Sequence, residues 1–402
     1  MIKFPDFSLD ITPPPLQPTP HPSLPAPLRF LLLCCFLFFL GSSCQNTKPE
    51  TFTTTPYPLQ TPRFFPTNLN IPTDNPLTVE GVELGRYLFY DARLCGYTGI
   101  NPDLMMSCAT CHVQSNAFKV GLDNPRFPDG KTYGLSGAYT PHNMLPLINL
   151  IFNHEGYFWN GAIHPSNTNP VQRTLEDIVV MGIIAPHEMN STVERTIAAL
   201  KTDPDYPEMF RKAFGTSEIT IDRVKKAIAQ FIRTLISGNS KFDRYLRGEE
   251  QLTPAELSGY ILFTTEEGAD CFHCHGSDGS PLFTTNLFYN NALTNQFTDI
   301  HDRYAITGNS ADIGAYRAPT LRNIAVTAPY MHDGRFTTLD ELLEFYNIGL
   351  VNSPYVSPLM HKVNEGGAML TPSQIANLKA FLHTLTDEEF LTNPKFADPK
   401  KK

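Results

Sequence analysis

The chain has 402 residues, 41% of them hydrophobic and 18% charged, and carries a formal net charge of -9. That length exceeds one cytochrome-sized core and suits two domains of ~150 residues each. The acidic balance offers no basic surface on which nucleic acid could be held, which argues against a nucleic-acid-binding role.

In chain order, residues 1–44 read as an export signal. A proline-rich lead, including Pro13, Pro25 and Pro27, runs into the apolar stretch Leu28 to Leu40 and then Gly41-Ser42-Ser43-Cys44. The apolar run falls short of the ~20 residues a membrane-spanning helix needs. Small residues before a cysteine look like a bacterial lipoprotein signal, so the expectation is a lipid on Cys44 and a place in the periplasm or cell envelope, with an ordinary signal cut nearby as the alternative. Residues 45–66 are rich in Thr and Pro without periodicity and read as a flexible tether.

Beyond it the chain repeats itself. Leu84-Gly85-Arg86-Tyr87-Leu88-Phe89 precedes a Cys-x-x-Cys-His motif at Cys108, Cys111 and His112, and Ser258-Gly259-Tyr260-Ile261-Leu262-Phe263 precedes a second at Cys271, Cys274 and His275. Each half closes on apolar residues at helical spacing: Val224, Ile228, Phe231, Ile232 and Leu235 in the first, Ile375, Leu378, Phe381, Leu382 and Leu385 in the second. Thr253-Pro254-Ala255-Glu256 and Thr371-Pro372-Ser373-Gln374 each offer an N-cap hydroxyl, a proline at the first helical position and a Glu or Gln two residues on. The expected fold is mainly α: two cytochrome c-like domains, 67–245 and 246–391, each with one covalently bound haem and long loops between helices, followed by a polar tail, 392–402.

Attachment of a c-type haem needs two thiols that reach two vinyl groups on one porphyrin edge, and a histidine directly after the second thiol to ligate the iron. A thioredoxin-like pair or half a zinc site would explain the cysteines but not the paired histidines. Of the eight cysteines, Cys34 and Cys35 fall in the signal, Cys44 is the lipid candidate and four sit in the haem motifs. Cys95 alone is left over, and reads as a small apolar filler or a free thiol.

A wider set of residues narrows the reading: Leu84 to Leu94, Ser107 to His112, Phe158-Trp159-Asn160-Gly161, Glu188-Met189, Ala318 to Ala325, and Pro329 to Arg335. In this order they resemble the bacterial di-haem cytochrome c peroxidase family, including its MauG-type members, over roughly Leu69 to Leu391. The resemblance implies a peroxide-reacting haem on His112 and an electron-transfer haem on His275. Trp159 would lie between the haems as an electron relay, and Glu188 would be the acid-base residue. The resemblance also implies a calcium ion between the haems, held by Asn143 and the carbonyls of Thr327 and Pro329. Tyr346 stands where many relatives place an axial Met and the MauG-type enzyme a Tyr, with Met360 and Met369 as alternatives. His332 reads as structural or propionate-side.

Three departures stand out. Ile178 replaces a Gln common in the distal pocket, Ala162 replaces an Arg, and the loop Tyr133 to Pro141 holds no histidine that could cap the first haem, though His142 follows it. The first haem is therefore expected to be five-coordinate or water-bound at rest. Three functions follow from the resemblance: reduction of hydrogen peroxide with electrons from reduced cytochrome c or another small donor, MauG-type oxidation of a partner protein at long range, or a non-enzymatic electron carrier. A homodimer is one option for the oligomeric state.

Overall fold

The computed structural model describes residues 52–99, 101, 105–276 and 281–401. The expected signal peptide and the Cys44 lipid site lie outside the described residues. Among the described residues, no helix is long and apolar enough to cross a membrane.

The first half contains α1 (Val79–Phe89), α2 (Cys108–Cys111), α3 (Leu175–Ile184), α4 (Val193–Leu200), α5 (Tyr206–Phe214) and α6 (Ile221–Arg233). After α7 (Lys241–Leu246), the second half contains α8 (Pro254–Phe263), α9 (Phe272–His275), α10 (Tyr304–Thr307), α11 (Leu339–Ile348), α12 (Pro372–His383) and α13 (Glu388–Thr392). Among the described residues, strand is confined to the antiparallel pair β1 (Phe288–Tyr289) and β2 (Tyr316–Arg317). This is the mainly helical, long-looped architecture expected.

Local chemistry explains where the helices start. Thr253 accepts a hydrogen bond from Glu256 N while the Glu256 carboxylate accepts one from Thr253 N, and Thr371 and Gln374 repeat the arrangement at α12. Each such box satisfies amide donors that have no partner inside the helix. The repeated glycine has a packing reason. At Gly85 a Cβ would run into the Ala227 carbonyl and approach Phe231 Cβ to 3.0 Å; at Gly259 it would run into the Asn377 carbonyl and approach Phe381 Cβ to 2.8 Å. Glycine thus lets α1 cross α6, and α8 cross α12, with the backbones nearly touching.

Each crossing floors an apolar core. Leu84, Leu88, Phe89, Phe118 and Phe231 are buried together in the first, and Phe242, Phe263, Phe283 and Phe381 in the second. Cys95 is buried in the first core, with its thiol directed at the Ala92 carbonyl.

One segment differs from expectation. From residue 52 onward, the stretch read as a flexible tether packs onto the body. Tyr57 N donates to Leu77 O (3.0 Å), Val79 N donates to Thr55 O (2.8 Å), and Phe65 is buried in a small cluster with Ile151 and Phe152. Lack of periodicity argued against helix or strand, but extended chain can still pair backbone groups and bury single aromatics.

The polar tail is also docked. Arg86 Nε donates to Ala397 O and Tyr90 OH to Phe396 O, both at 2.7 Å, and Lys400 pairs with Asp203. Just before it, Phe390 and Leu391 of α13 are buried in the first core rather than the second. Asp387 anchors this return: its carboxylate accepts from Ser237 Oγ and from the amides of Gly238 and Asn239, in the turn that joins the halves.

Candidate haem sites and the seam between them

Each motif sits on a four-residue helix: α2 carries Cys108 and Cys111 with His112 at its C-cap, and α9 carries Cys274 and His275 with Cys271 at its N-cap. His112 N donates to Cys108 O (2.9 Å) and His275 N to Cys271 O (3.1 Å). The ring nitrogens are then divided. His112 Nδ1 lies 2.7 Å from Phe118 O and His275 Nδ1 3.1 Å from Pro319 O. With Nδ1–H given to a carbonyl, Nε2 keeps its lone pair for a metal, the second-shell arrangement that fixes ring and tautomer in metal sites. Burial lowers both imidazoles to about 4, so both are neutral at physiological pH.

Beside the second motif lies a largely apolar pocket lined by Cys271, Cys274, His275, Leu342, Leu343, Tyr346 and Met360. Tyr346 projects from α11 and its hydroxyl accepts a hydrogen bond from Asn291 Nδ2 (3.0 Å). Burial raises its phenol above the ordinary range. Tyr346 and Met360 both reach this pocket, whereas Met369 is 58% exposed and does not line it.

Glu188 sits just past the C-terminus of α3, where Glu188 N donates to Ala185 O (3.0 Å) and Met189 N to Gly182 O (3.2 Å). Gly182 makes room for it, since a Cβ there would come within 2.8 Å of Glu188 Oε2. The loop that might have carried a capping histidine closes over this backbone instead, through Leu135 N to Glu188 O (2.9 Å). The charge of Glu188 is felt at the first motif, where it adds to the burial that raises the Cys108 and Cys111 thiols. Its side chain is 42% exposed, yet its immediate surroundings withhold enough water that desolvation lifts the carboxyl to about 7. Ile178 and Met181 of the same helix pack against the first core.

Trp159 occupies a tight turn of the first half, closed by Tyr157 N to Ile163 O (2.8 Å). The second half holds it there: Arg317 N donates to Trp159 O (2.7 Å) and Arg317 Nε to Phe158 O (3.0 Å). Its indole Nε1 donates to Asn143 O (2.6 Å), and the ring meets His332 edge-on with centroids 6.4 Å apart. Trp159 thus lies on the seam between the halves and lines the pocket of the second motif.

His142 and His332 belong to the same seam. His332 stacks on Tyr316 with centroids 3.6 Å apart, and Asp299 Oδ2 binds both His142 Nε2 and Tyr316 OH at 2.6 Å. His142 is therefore engaged beside Trp159, not in the loop over Glu188. Asp299 and Tyr316 were not singled out in the sequence; no short motif marks them, because three distant segments converge here.

The residues expected to hold calcium do converge, but another cation is already on them. Asn143 Nδ2 donates to Pro329 O (2.7 Å) and Met331 O (3.0 Å), so the amide presents hydrogens to these carbonyls. Lys119, 3% exposed, donates its ammonium to Thr327 O (2.6 Å) and to Pro329 O. Calcium takes oxygen ligands at about 2.3–2.6 Å, and an ion on these two carbonyls would collide with Nζ. The arrangement does not fit calcium. Lys119 went unnoticed in the sequence, although a lysine inside the apolar run Ala117-Phe118-Lys119-Val120 was a signal.

Two such motifs, each with its imidazole oriented by a carbonyl and a tryptophan on the seam, define a c-type di-haem redox protein. Comparison with known proteins agrees. The family described as di-haem cytochrome c peroxidase matches residues 79–251. Cytochrome c551 peroxidase of Nitrosomonas europaea is 32% identical over 78% of this chain and 82% of its own length, and methylamine utilization protein MauG of Methylorubrum extorquens is 32% identical over 80% and 83%. Among solved structures, a MauG-like protein associated with microbial copper homeostasis superposes with a TM-score of 0.71 at 33% identity, covering 85% of this chain and 99% of that one. The chain belongs to the di-haem cytochrome c peroxidase family, whose two c-type haems fit its Cys108/Cys111 and Cys271/Cys274 motifs.

Proposed function

We propose that this protein reduces hydrogen peroxide to water outside the cytoplasm, anchored through Cys44, with electrons from a small reduced cytochrome or similar carrier. The observation that carries the reading is Glu188, a carboxyl poised at about 7 beside the first haem motif. The haems, when bound, supply the redox centres at which peroxide is cleaved and electrons are stored. Glu188 takes a proton from one peroxide oxygen and returns it to the other, which makes water the leaving group. Two electrons and two protons enter and two waters leave. Trp159 bridges the halves for the electrons, and Leu135 with the backbone of its loop closes the Glu188 side.

A second reading, oxidation of a partner protein at long range, draws support from Tyr346, whose buried phenol lines the pocket of the second haem motif where a phenolate ligand would favour ferric and higher states. Steady-state consumption of peroxide by the holoprotein with reduced cytochrome c separates the readings. Donor-dependent turnover supports the peroxidase. Peroxide consumption without donor oxidation, accompanied by oxidised side chains on a partner, supports the second. Reversible reduction of both haems with no reaction toward peroxide would leave an electron carrier and sink both.

A further inference from the structure

We propose that Lys119 is a built-in substitute for the inter-haem calcium, so that the seam between the two halves is held by the chain's own ammonium group and needs no divalent metal. This rests on family membership and on the seam geometry, not on the peroxidase reading. Three observations carry it. Lys119 Nζ donates to both carbonyls that the family resemblance assigns to calcium, Thr327 O and Pro329 O. The side chain is buried and, among the described residues, forms no ion pair with a carboxylate, so burial lowers its amine and its hydrogens go to the carbonyl oxygens a metal would otherwise take. Asn143, the third expected ligand, turns Nδ2 toward Pro329 O and Met331 O, leaving Oδ1 buried without a partner.

The lysine is placed by local backbone. Ala117 and Phe118 both adopt left-handed conformations (φ 52° and 58°), and a bridge from Val113 N to Lys119 O (3.1 Å) closes the loop. This tight loop aims Phe118 O back at His112 Nδ1 and sends the Lys119 side chain across to the second half. On the far side, Asn143 binds the same Pro329 carbonyl and its own carbonyl receives the Trp159 indole. Lys119 is thus a positioning residue, one link from the proximal histidine in one direction and two links from Trp159 in the other. Burial lowers its amine to about 7, so below that pH its positive charge would also favour the reduced state of an iron held in the neighbouring motif.

The test uses the holoprotein and calcium itself. Protein purified from calcium-containing buffer and then desalted should retain no stoichiometric calcium by elemental mass spectrometry. Its resting optical and paramagnetic resonance spectra should not change with EGTA or with added calcium. A stoichiometric calcium that survives desalting, or a spectral change on chelation that calcium reverses, would overturn the proposal. At pH ~6, where Lys119 is protonated, the haem midpoint potentials should fall in Lys119→Met, similar in length but uncharged, and Lys119→Arg should move them back toward the parent values. Unchanged potentials in Lys119→Met with both haems attached would refute the positioning role. If Lys119→Met does not fold, the calcium content and chelator response of the parent protein still decide the main point. None of these readouts depends on peroxide turnover.

Discussion

Acid should switch off the reaction with peroxide at a pH set by Glu188. Desolvation lifts its carboxyl to about 7, far above the ordinary carboxylate value. The ionised form must receive the first proton, so activity is present above that pH and lost below it. At about pH 5 such a group is ionised to roughly 1%, which predicts a ~100-fold fall in kcat/KM relative to about pH 9, with a slope near tenfold per unit. A carboxyl at its ordinary ~4.3 would give a nearly flat profile over the same range. Initial rates of peroxide-dependent cytochrome c oxidation, measured across this range with haem content checked, read the profile directly. Glu188→Gln should lower the rate by about 10²–10⁴-fold and remove the slope.

Stability moves the other way. A carboxyl whose pKa is raised in the folded state contributes stability that is present below its unfolded value and lost as pH rises through about 7. The neutral glutamine variant should therefore be no less stable than the parent protein at pH ~8, which separates lost catalysis from lost folding. A flat acid limb in the parent protein, or a Gln variant with parental rates, would refute the role of Glu188.

Further outcomes follow from the packing. Gly259→Ala should destabilise the second half by about 1–3 kcal/mol, because the new methyl must displace the Asn377 backbone where α8 crosses α12; denaturant midpoints check it, and a neutral effect would show that the crossing can relax. Arg322→Met removes the partner of buried Asp243, whose carboxylate it binds at 2.6 and 2.8 Å, and should cost about 3–5 kcal/mol at neutral pH. Burial pushes the Asp243 carboxyl up, but Arg322 outweighs it and holds it below the usual range. That stabilisation is present above the unfolded value and lost as pH falls through the folded one, so the parent and variant should converge in acid. Tyr346→Phe should change the ligand-field spectrum of the second haem if the phenol ligates iron; an unchanged spectrum rules the phenol out in favour of a methionine lining the same pocket, Met360 or Met331.

What could be read in the sequence was local or repeated. The capping boxes at Thr253 and Thr371 and both haem motifs act over a few residues, and the glycines at the helix crossings stand in segments that the repeat made visible. Trp159 and Glu188 could be singled out because short surrounding motifs matched a family. What could not be read was made of long-range pairing. Lys119 meets a carbonyl 208 positions away in the chain, and Asp299 gains meaning only when His142 and Tyr316 arrive beside it from other segments. The stretch from 52 to 66 was misjudged because its contacts are backbone pairs and isolated aromatics such as Phe65, which leave no periodic trace.

The returning segment around α13 has a consequence for the first haem loop. Gln114, two residues past His112, donates its amide to Phe390 O (3.1 Å) and Asn393 O (2.9 Å). The loop behind the first proximal histidine is therefore clasped by a segment 276 and 279 positions later in the chain, so a substitution in α13, which follows the second motif in sequence, should be felt at the first.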